Sequence, residues 1–337
     1  DLPYYQQMGL LTDVTEWGKE LGFDPSHTFA SMASQITIDG RQYSFPCNVC
    51  TFNYWVNRAT FRKYHQPDPP NRWTLQEFET RGKAFVAAAN PPGQRTRVFF
   101  VDSLPTNAIA RSLGGSTFNE TLTACTLNDA ANIQAMQLLY TWTYEDRLIP
   151  SAADQSAFST DSGYGGARFQ LFNRGNYAML YCGRYALIQL REFGSMDLGL
   201  AEVPNGGFPN APAATRAAAI YAGSKHKELA KYFLAFLASE DYNMQIVDDA
   251  DGLPPNPRYA HTEAFRHPPK YPNEWACHEP YLDLEATAIG PDFSPYIAPA
   301  SAIRISTIAG DRLMNGLADA EQATTEATHQ VNDEIQR

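Results

Sequence analysis

The stretch from Tyr43 to Thr74 constrains the fold of this chain more than any other segment. It opens with an apolar run in which small polar side chains separate aromatic rings, those of Tyr43, Phe45, Phe52, Tyr54 and Trp55. Aromatic residues are enriched in strands, so the run predicts a sheet strand. Flat rings beside hydrogen-bonding groups can also line a ligand site. The residues alone favour an ordinary strand and leave a ligand lining open.

Signals on both sides of this run predict strands that alternate with helices. Asp39 and Gly40 lie between two β-rich runs and predict a hairpin over residues 36–45. After a proline-rich turn, Thr74 and Glu77 form a capping box that begins a helix. Strand-like runs and amphipathic helices alternate through the rest of the chain. We therefore expect an α/β architecture with at least partly parallel sheets.

Elements further along the chain bear on a site. A helix over 107–113 ends at Gly114 and Gly115, where glycine permits a positive φ and the close approach of a backbone or a ligand. The other predicted elements used below are strands over 177–181 and 217–221 and one long helix over 303–335.

The composition excludes several classes of protein. With 44% hydrophobic and 19% charged residues, the 337-residue chain is globular and long enough for two cores. A formal net charge of −11 disfavours nucleic acid or an anionic membrane surface as a partner, because neither attracts an acidic protein. No apolar run reaches the length of a transmembrane helix. Because the chain starts at Asp1 without a methionine or a signal peptide, we expect a processed, excised or recombinant start.

Cys47 and Cys50 form a single CxxC pair among five cysteines. A structural zinc site needs four ligands, and a thioredoxin-like pair would begin a helix rather than lie in a strand. We expect an incidental or disulfide-bonded pair. Three histidines near Cys277 match no short metal motif in their spacing, namely His261, His267 and His278. Common catalytic motifs are also missing, so neither a metal, a cofactor nor a catalytic residue is predicted.

A series of short motifs follows one order along most of the chain. It begins with Asp1 and Tyr5 and continues with GLLTDVT (9–15), DGRQYSFP (39–46), YWVNRATF (54–61), PPNRWTLQEF (69–78), GGSTFN (114–119), FNRGNYAM (172–179), GRY (183–185), AGSKHKELA (222–230) and GLP (252–254). Each motif alone is weak. In this order they resemble the extracellular solute-binding proteins of ABC importers, in the sugar-binding group that includes maltose-binding protein.

The sequence departs from that family in two main respects. The family has a further βαβ-type unit before the segment that matches Asp1, so we expect a first lobe that is incomplete at its N-terminus and exposes sheet edges. Cys47 and Cys50 stand where the family has small or polar residues. Within the GRY motif, Tyr185 occupies the position of a family tryptophan.

The resemblance implies an α/β, two-lobe periplasmic-binding-protein clamshell of type II, with the ligand cleft between the lobes. Lobe one would comprise 1–48 and 218–254, and lobe two 52–214 and 257–337. The hinge crossings would fall near 47–51, 217–221 and 254–256.

The resemblance also implies a ligand site and a role. We expect Tyr185 and Tyr181 to stack on the ligand with Phe52 and Tyr221 behind them, Arg184 and Asn48 to supply polar groups, and Gly114 and Gly115 to offer close-approach backbone. The implied function is the binding of a sugar or oligosaccharide by aromatic stacking and hinge closure. The implied partners are that solute and the membrane permease subunits of an ABC importer, and the implied location is periplasmic or extracellular, with a lipid anchor left open.

Alternatives from other classes remain. The ligand could be a non-sugar solute such as a polyamine, a phosphate ester or a metal chelate. The chain could be a receptor domain linked to a sensor rather than to a transporter. A carbohydrate-active enzyme on a similar two-lobed frame is the third alternative, with catalytic carboxylates that the sequence does not pair.

Overall fold

Strands form three sheets in the computed structural model, which describes residues 2–94, 96–158 and 166–337. Asp1, the first residue of the motif series, lies outside these ranges. The strands are β1 (Thr37–Ile38), β2 (Arg41–Gln42), β3 (Ser44–Thr51), β4 (Asn53–Asn57), β5 (Phe99–Val101), β6 (Tyr177–Cys182), β7 (Leu198–Ala201), β8 (Ala211–Ala219) and β9 (Ala288–Ile289).

Helices separate most of these strands. They are α1 (Leu2–Gln7), α2 (Thr15–Leu21), α3 (Ala33–Ile36), α4 (Arg58–Lys63), α5 (Leu75–Ala89), α6 (Thr106–Ser112), α7 (Ala130–Tyr140), α8 (Ala152–Ala157), α9 (Ala167–Arg174), α10 (Ala186–Leu190), α11 (Lys227–Leu237), α12 (Glu240–Asp249), α13 (Pro257–Ala260), α14 (Glu263–Arg266), α15 (Trp275–Asp283), α16 (Pro299–Met314) and α17 (Ala320–Ile335). The predicted α/β class is confirmed.

Two local predictions are confirmed in detail. The hairpin β1–β2 turns at Asp39 and Gly40, which both have positive φ, as a two-residue hairpin turn requires. Helix α5 begins at the predicted capping box, where the Thr74 hydroxyl accepts from the Glu77 backbone N–H and the Glu77 carboxylate accepts from the Thr74 backbone N–H. Short-range signals therefore place these elements without help from the rest of the fold.

The central sheet has the order β5-β6-β4-β7, with β5 parallel to β6 and the other pairs antiparallel. Every residue of β4 is buried, because the sheet is covered on both faces. Tyr54 and Val56 pack into the core under α5, whereas Trp55 packs into the opposite core against Tyr281. A further core joins α7, α16 and α17 around Ile305.

Strands β3 and β8 form a long antiparallel pair that joins two cores. At one end Phe45 packs with the small core of α2 and α11, and at the other Val49 packs with the large core under the central sheet. Six of the nine residues of β8 are alanine. Val49 pairs with Thr215 of β8 and also exchanges two backbone hydrogen bonds with Leu253, at 3.0 and 2.6 Å. Three chain segments that are distant in sequence therefore meet at one residue.

Several sequence predictions are wrong in detail. The aromatic run is two strands of different sheets, and it breaks at Phe52. Strand β8 begins at Ala211, six residues before the predicted start. The last helix is two helices, because Gly316 turns the chain at φ +68° and the Asp319 side chain caps α17. For Cys47 and Cys50 the sequence left an incidental or a disulfide-bonded pair open, and the pair is not disulfide-bonded, since all five thiols are free.

Gly252 tests how tightly the three segments pack. Its φ is +81°, and an added Cβ would lie 2.7 Å from both the Cys50 Sγ and the Val49 carbonyl oxygen. Gly40 has a similar φ of +75° and open space around it. In urea unfolding we expect Gly40→Ala to lower the free energy of unfolding by about 1 kcal/mol, because of φ strain alone. Gly252→Ala should lower the free energy of unfolding by about 3 kcal/mol or more, since a steric clash adds to the strain. Equal losses would contradict the close packing.

Candidate functional site

Three partly buried aromatic rings meet where β3 ends and β4 begins. The Phe52 backbone N–H donates to the Pro212 carbonyl of β8 at 2.8 Å, which fixes the ring at this junction. Phe52 stacks on Tyr181 with ring centroids 5.8 Å apart and meets Tyr185 in a T-shaped contact with centroids 6.4 Å apart. Three of the predicted ligand residues thus form one aromatic cluster, defined here as Phe52, Tyr181 and Tyr185.

An ion pair at the end of β6 holds the backbone of Tyr181. The buried Asp102 carboxylate accepts from the Tyr181 N–H at 2.7 Å, and the Arg168 guanidinium donates to the Tyr181 carbonyl at 2.7 Å. Arg168 and Asp102 also pair, with Nε–Oδ2 at 2.8 Å. Burial raises the pKa of the Asp102 carboxyl, and the charge of Arg168 opposes that shift. Sequence reasoning missed both residues, although Asp102 directly follows a buried strand, which is a usable signal.

A cavity of about 580 Å³ opens beside Phe52. Its walls come from α6, α7, α16, α17, the start of β8 and the segment after β9, and they are mostly apolar. The volume lies in the range of small-molecule sites. Arg111 and Asp292 form an ion pair in this wall, with Nη2–Oδ1 at 3.1 Å, and Asp292 also accepts from the Thr117 N–H at 3.4 Å. The sequence did not predict this pair, because its members belong to segments far apart in the chain.

The role expected for Arg184 needs correction. Its side chain is fully buried, so its guanidinium does not face a cleft. It donates to the carbonyls of Gly252 at 3.0 Å and Val247 at 3.5 Å and to Nδ1 of His278 at 3.4 Å. It also lies 4.3 Å from the centre of the Phe265 ring. These contacts direct the donor groups of Arg184 into the protein.

Asn48 and Tyr221 lie outside the aromatic cluster. Asn48 is buried in β3, and its amide donates to the Asp251 carbonyl at 3.3 Å, which again ties the third segment to the strand pair. Pro212 lies at the start of β8, whereas Tyr221 comes just after its end. Tyr221 forms a β-bridge with Leu11 and is 59% exposed. The structure therefore separates Tyr221 from Phe52 by the length of β8.

Gly114 and Gly115 shape the end of α6. Gly114 has a φ of +91°, and a Cβ on Gly115 would lie 3.0 Å from the Ala131 Cβ. The first glycine thus lets the helix stop, and the second lets α7 approach. The residues of α6 that line the cavity lie one to two turns earlier and include Asn107 and Arg111.

Two buried titratable groups close to the loop of Arg184 have pKa values far from neutral. Burial raises the pKa of the Cys50 thiol to about 12, which keeps it protonated. Burial, with the nearby charge of Arg184, lowers the pKa of His278 to about 2. Within the described ranges, no cluster of three or more His, Cys, Asp or Glu side chains is arranged to hold a metal ion. In the same ranges no helix combines the length and apolarity that a membrane span needs.

Comparison with known proteins adds the family. The sequence profile described as "bacterial extracellular solute-binding protein" matches residues 1–244. The chain belongs to this family. The family that the sequence motifs resemble is therefore confirmed, and so is solute binding as the function. A comparison with curated protein sequences gives no match.

Solved structures of solute-binding proteins share the fold. The ABC substrate-binding protein Lmo0181 from Listeria monocytogenes, in complex with cycloalternan, has a TM-score of 0.81 at 20% identity, with 99% of this chain and 82% of that chain covered. UgpB from Mycobacterium tuberculosis, in complex with glycerophosphocholine, has a TM-score of 0.78 at 17% identity, with 99% and 81% covered. Maltose-bound MalE3 of T. maritima has a TM-score of 0.76 at 15% identity, with 98% and 81% covered. The two-lobe periplasmic-binding-protein fold is confirmed.

The depressed pKa of His278 in this solute-binding protein predicts a pH dependence of stability. The folded state keeps the imidazole neutral, whereas the unfolded chain protonates it near pH 6.5. The stability that the neutral His278 imidazole contributes is therefore present above pH 6.5 and is lost as the pH falls towards 2. We expect His278→Gln to flatten the fall in unfolding free energy between pH 7 and about pH 4. The exposed His329, changed to Gln, is the control, and an unchanged slope in His278→Gln would contradict the argument.

Proposed function

We propose that this solute-binding protein binds a sugar or short oligosaccharide across the aromatic cluster and the adjoining cavity. One observation carries the proposal: Phe52 belongs both to the cluster of aromatic rings and to the cavity wall that holds the Arg111–Asp292 ion pair. Sugars present apolar C–H faces and hydroxyl groups, so rings that stack and a few polar groups that orient form a suitable site. Binding is proposed to involve no bond cleavage.

The proposed movement is closure of two lobes about the β3–β8 pair. Lobe one would comprise 1–48 and 218–254, and lobe two 52–214 and 257–337. The meeting of β3, β8 and Leu253 at Val49 supports hinge crossings near 47–51, 217–221 and 254–256. Closure around a ligand would remove water and create a surface that only the loaded protein displays.

The proposed partners follow from the family. A loaded extracellular solute-binding protein would deliver its sugar to the permease subunits of an ABC importer, from the periplasm or the outer face of the membrane. Lmo0181 is in complex with cycloalternan and MalE3 with maltose, which supports a carbohydrate as the ligand.

A second candidate ligand is a small phosphodiester. UgpB is in complex with glycerophosphocholine, and the mostly apolar cavity contains the guanidinium of Arg111. A panel of sugars and glycerophosphocholine, titrated by tryptophan fluorescence and thermal shift with product analysis, separates the candidates. Saturable stabilisation by a sugar without products supports the proposal. Product formation, or binding of glycerophosphocholine alone, would overturn it.

Tyr185→Ala tests the aromatic cluster. We expect at least about a tenfold loss of affinity for the bound sugar, because a stacking face is removed. Tyr232→Ala is the matched control, since Tyr232 is exposed on α11 and lies outside the cavity wall. Isothermal titration should show unchanged affinity for the control. Equal affinities of Tyr185→Ala and the wild type would remove the cluster from the site. Tyr221→Ala, measured in parallel, decides whether that exposed ring takes part.

Arg111→Met separates the two ligand classes. With a neutral sugar, we expect a moderate loss of affinity and little dependence on salt, because only hydrogen bonds are lost. With a phosphodiester, binding should weaken steeply as salt increases and should largely disappear in the variant. The control is Arg147→Met, which removes a similar ion pair with Asp154 elsewhere in the chain. Salt-dependent binding of the preferred ligand would contradict the sugar proposal.

A further inference from the structure

Arg184 is a buried cation without an acidic partner. Its guanidinium has no exposed surface, and no carboxylate of the described residues lies within ion-pair distance of it. Burial lowers its pKa to about 10, so it remains charged at neutral pH. Burying an unpaired charge is costly, so other groups must compensate.

The C-terminal end of α12 supplies that compensation. The last carbonyls of a helix lack intrahelical partners and carry the negative end of the helix dipole. Arg184 donates to the Val247 carbonyl in the last turn and to the Gly252 carbonyl in the turn that follows. Arg191 donates to the neighbouring Asp248 carbonyl at 3.1 Å. The face of the Phe265 ring adds a cation–π contact.

Helix α12 belongs to two cores at once. Tyr242, near its start, packs with the small core that contains Phe45. Val247 and Ala250, at and after its end, belong to the large core under the central sheet. The chain then reaches Leu253, which pairs with Val49. The helix and the turn after it therefore form the third connection between the cores.

The loop that holds Arg184 is tied to a second connection as well. The Arg184 backbone N–H donates to the Tyr281 hydroxyl at 2.9 Å, and that hydroxyl donates to the Thr51 carbonyl of β3 at 2.6 Å. The next residue in the loop is Tyr185, which meets Phe52 in the aromatic cluster. One short loop thus contacts the proposed ligand site and two of the three connecting segments.

We propose that Arg184 is a positioning residue that couples a ligand on Tyr185 to closure of the protein. Its guanidinium holds the end of α12 and the Gly252 turn against the loop that carries Tyr185, so a displacement of that loop moves the third crossing with it. The coupling of a ligand to closure rests on the proposed function. The hold of Arg184 on residues 247–253 does not, and it can be tested in the free protein.

Arg184→Met, Arg184→Lys and the control Arg147→Met test the proposal. In the free protein, we expect hydrogen exchange of the amides in 247–253 to accelerate about tenfold or more in Arg184→Met, because two buried carbonyls lose their donor. Exchange in β4 and β6 should stay unchanged. Arg184→Lys should recover part of the protection, since it keeps the charge and can reach one carbonyl. The control should leave 247–253 unaffected.

The coupling of ligand binding to closure is tested with maltose as the probe and small-angle X-ray scattering as the readout. The wild type should contract on binding, whereas Arg184→Met should bind maltose with little contraction. If the wild type binds no maltose, the sugar proposal loses its support for this ligand, and exchange at 247–253 still decides the role of Arg184. Unchanged exchange there, or acceleration spread equally over β4 and β6, would overturn the proposal. If Arg184→Met does not fold, Arg184→Lys tests the same point with a smaller expected acceleration at 247–253, because it keeps the charge and loses one of the two carbonyl contacts.

Discussion

The backbone pairing at Val49 is the constraint on which the rest of the structure depends. A strand residue normally has one neighbour on each side within a sheet, and here those neighbours come from β8 and from the segment at Leu253. The small core that contains Phe45 and the large core that contains Val49 are joined by these segments. The chain leaves it at Phe52 towards the central sheet, so the pairing also fixes where the aromatic cluster lies.

Around this point, polar groups are used in two different ways. Towards the cavity, the Arg111–Asp292 ion pair is partly exposed and belongs to the wall. Towards the interior, Arg184 and Asn48 donate to backbone carbonyls of the segment that leads to Leu253. Arginine thus forms part of the cavity wall on one side and holds backbone carbonyls of the interior on the other. Burial decides between the two roles, because a buried donor must find a partner within the protein.

Sequence reasoning predicted what depends on short-range order. The hairpin at Gly40 and the cap at Thr74 follow from local turn and helix chemistry. The aromatic run drew attention to Phe52, and the GRY motif to Tyr185. It could not predict the pairing of Arg111 with Asp292, which depends on how distant helices pack. It also could not tell that Arg184 points inward, because an arginine after a strand has the same sequence signature whether it faces a ligand or a core.

The alanine-rich composition of β8 has a consequence for how the cavity beside it can change. A strand with so few large side chains contributes little shape of its own to the cavity beside it. Large side chains in that wall, such as those of Phe52, Phe293 and Ile303, belong to other segments. Substitutions of those side chains can therefore reshape the cavity while the connecting strand keeps its pairing with β3.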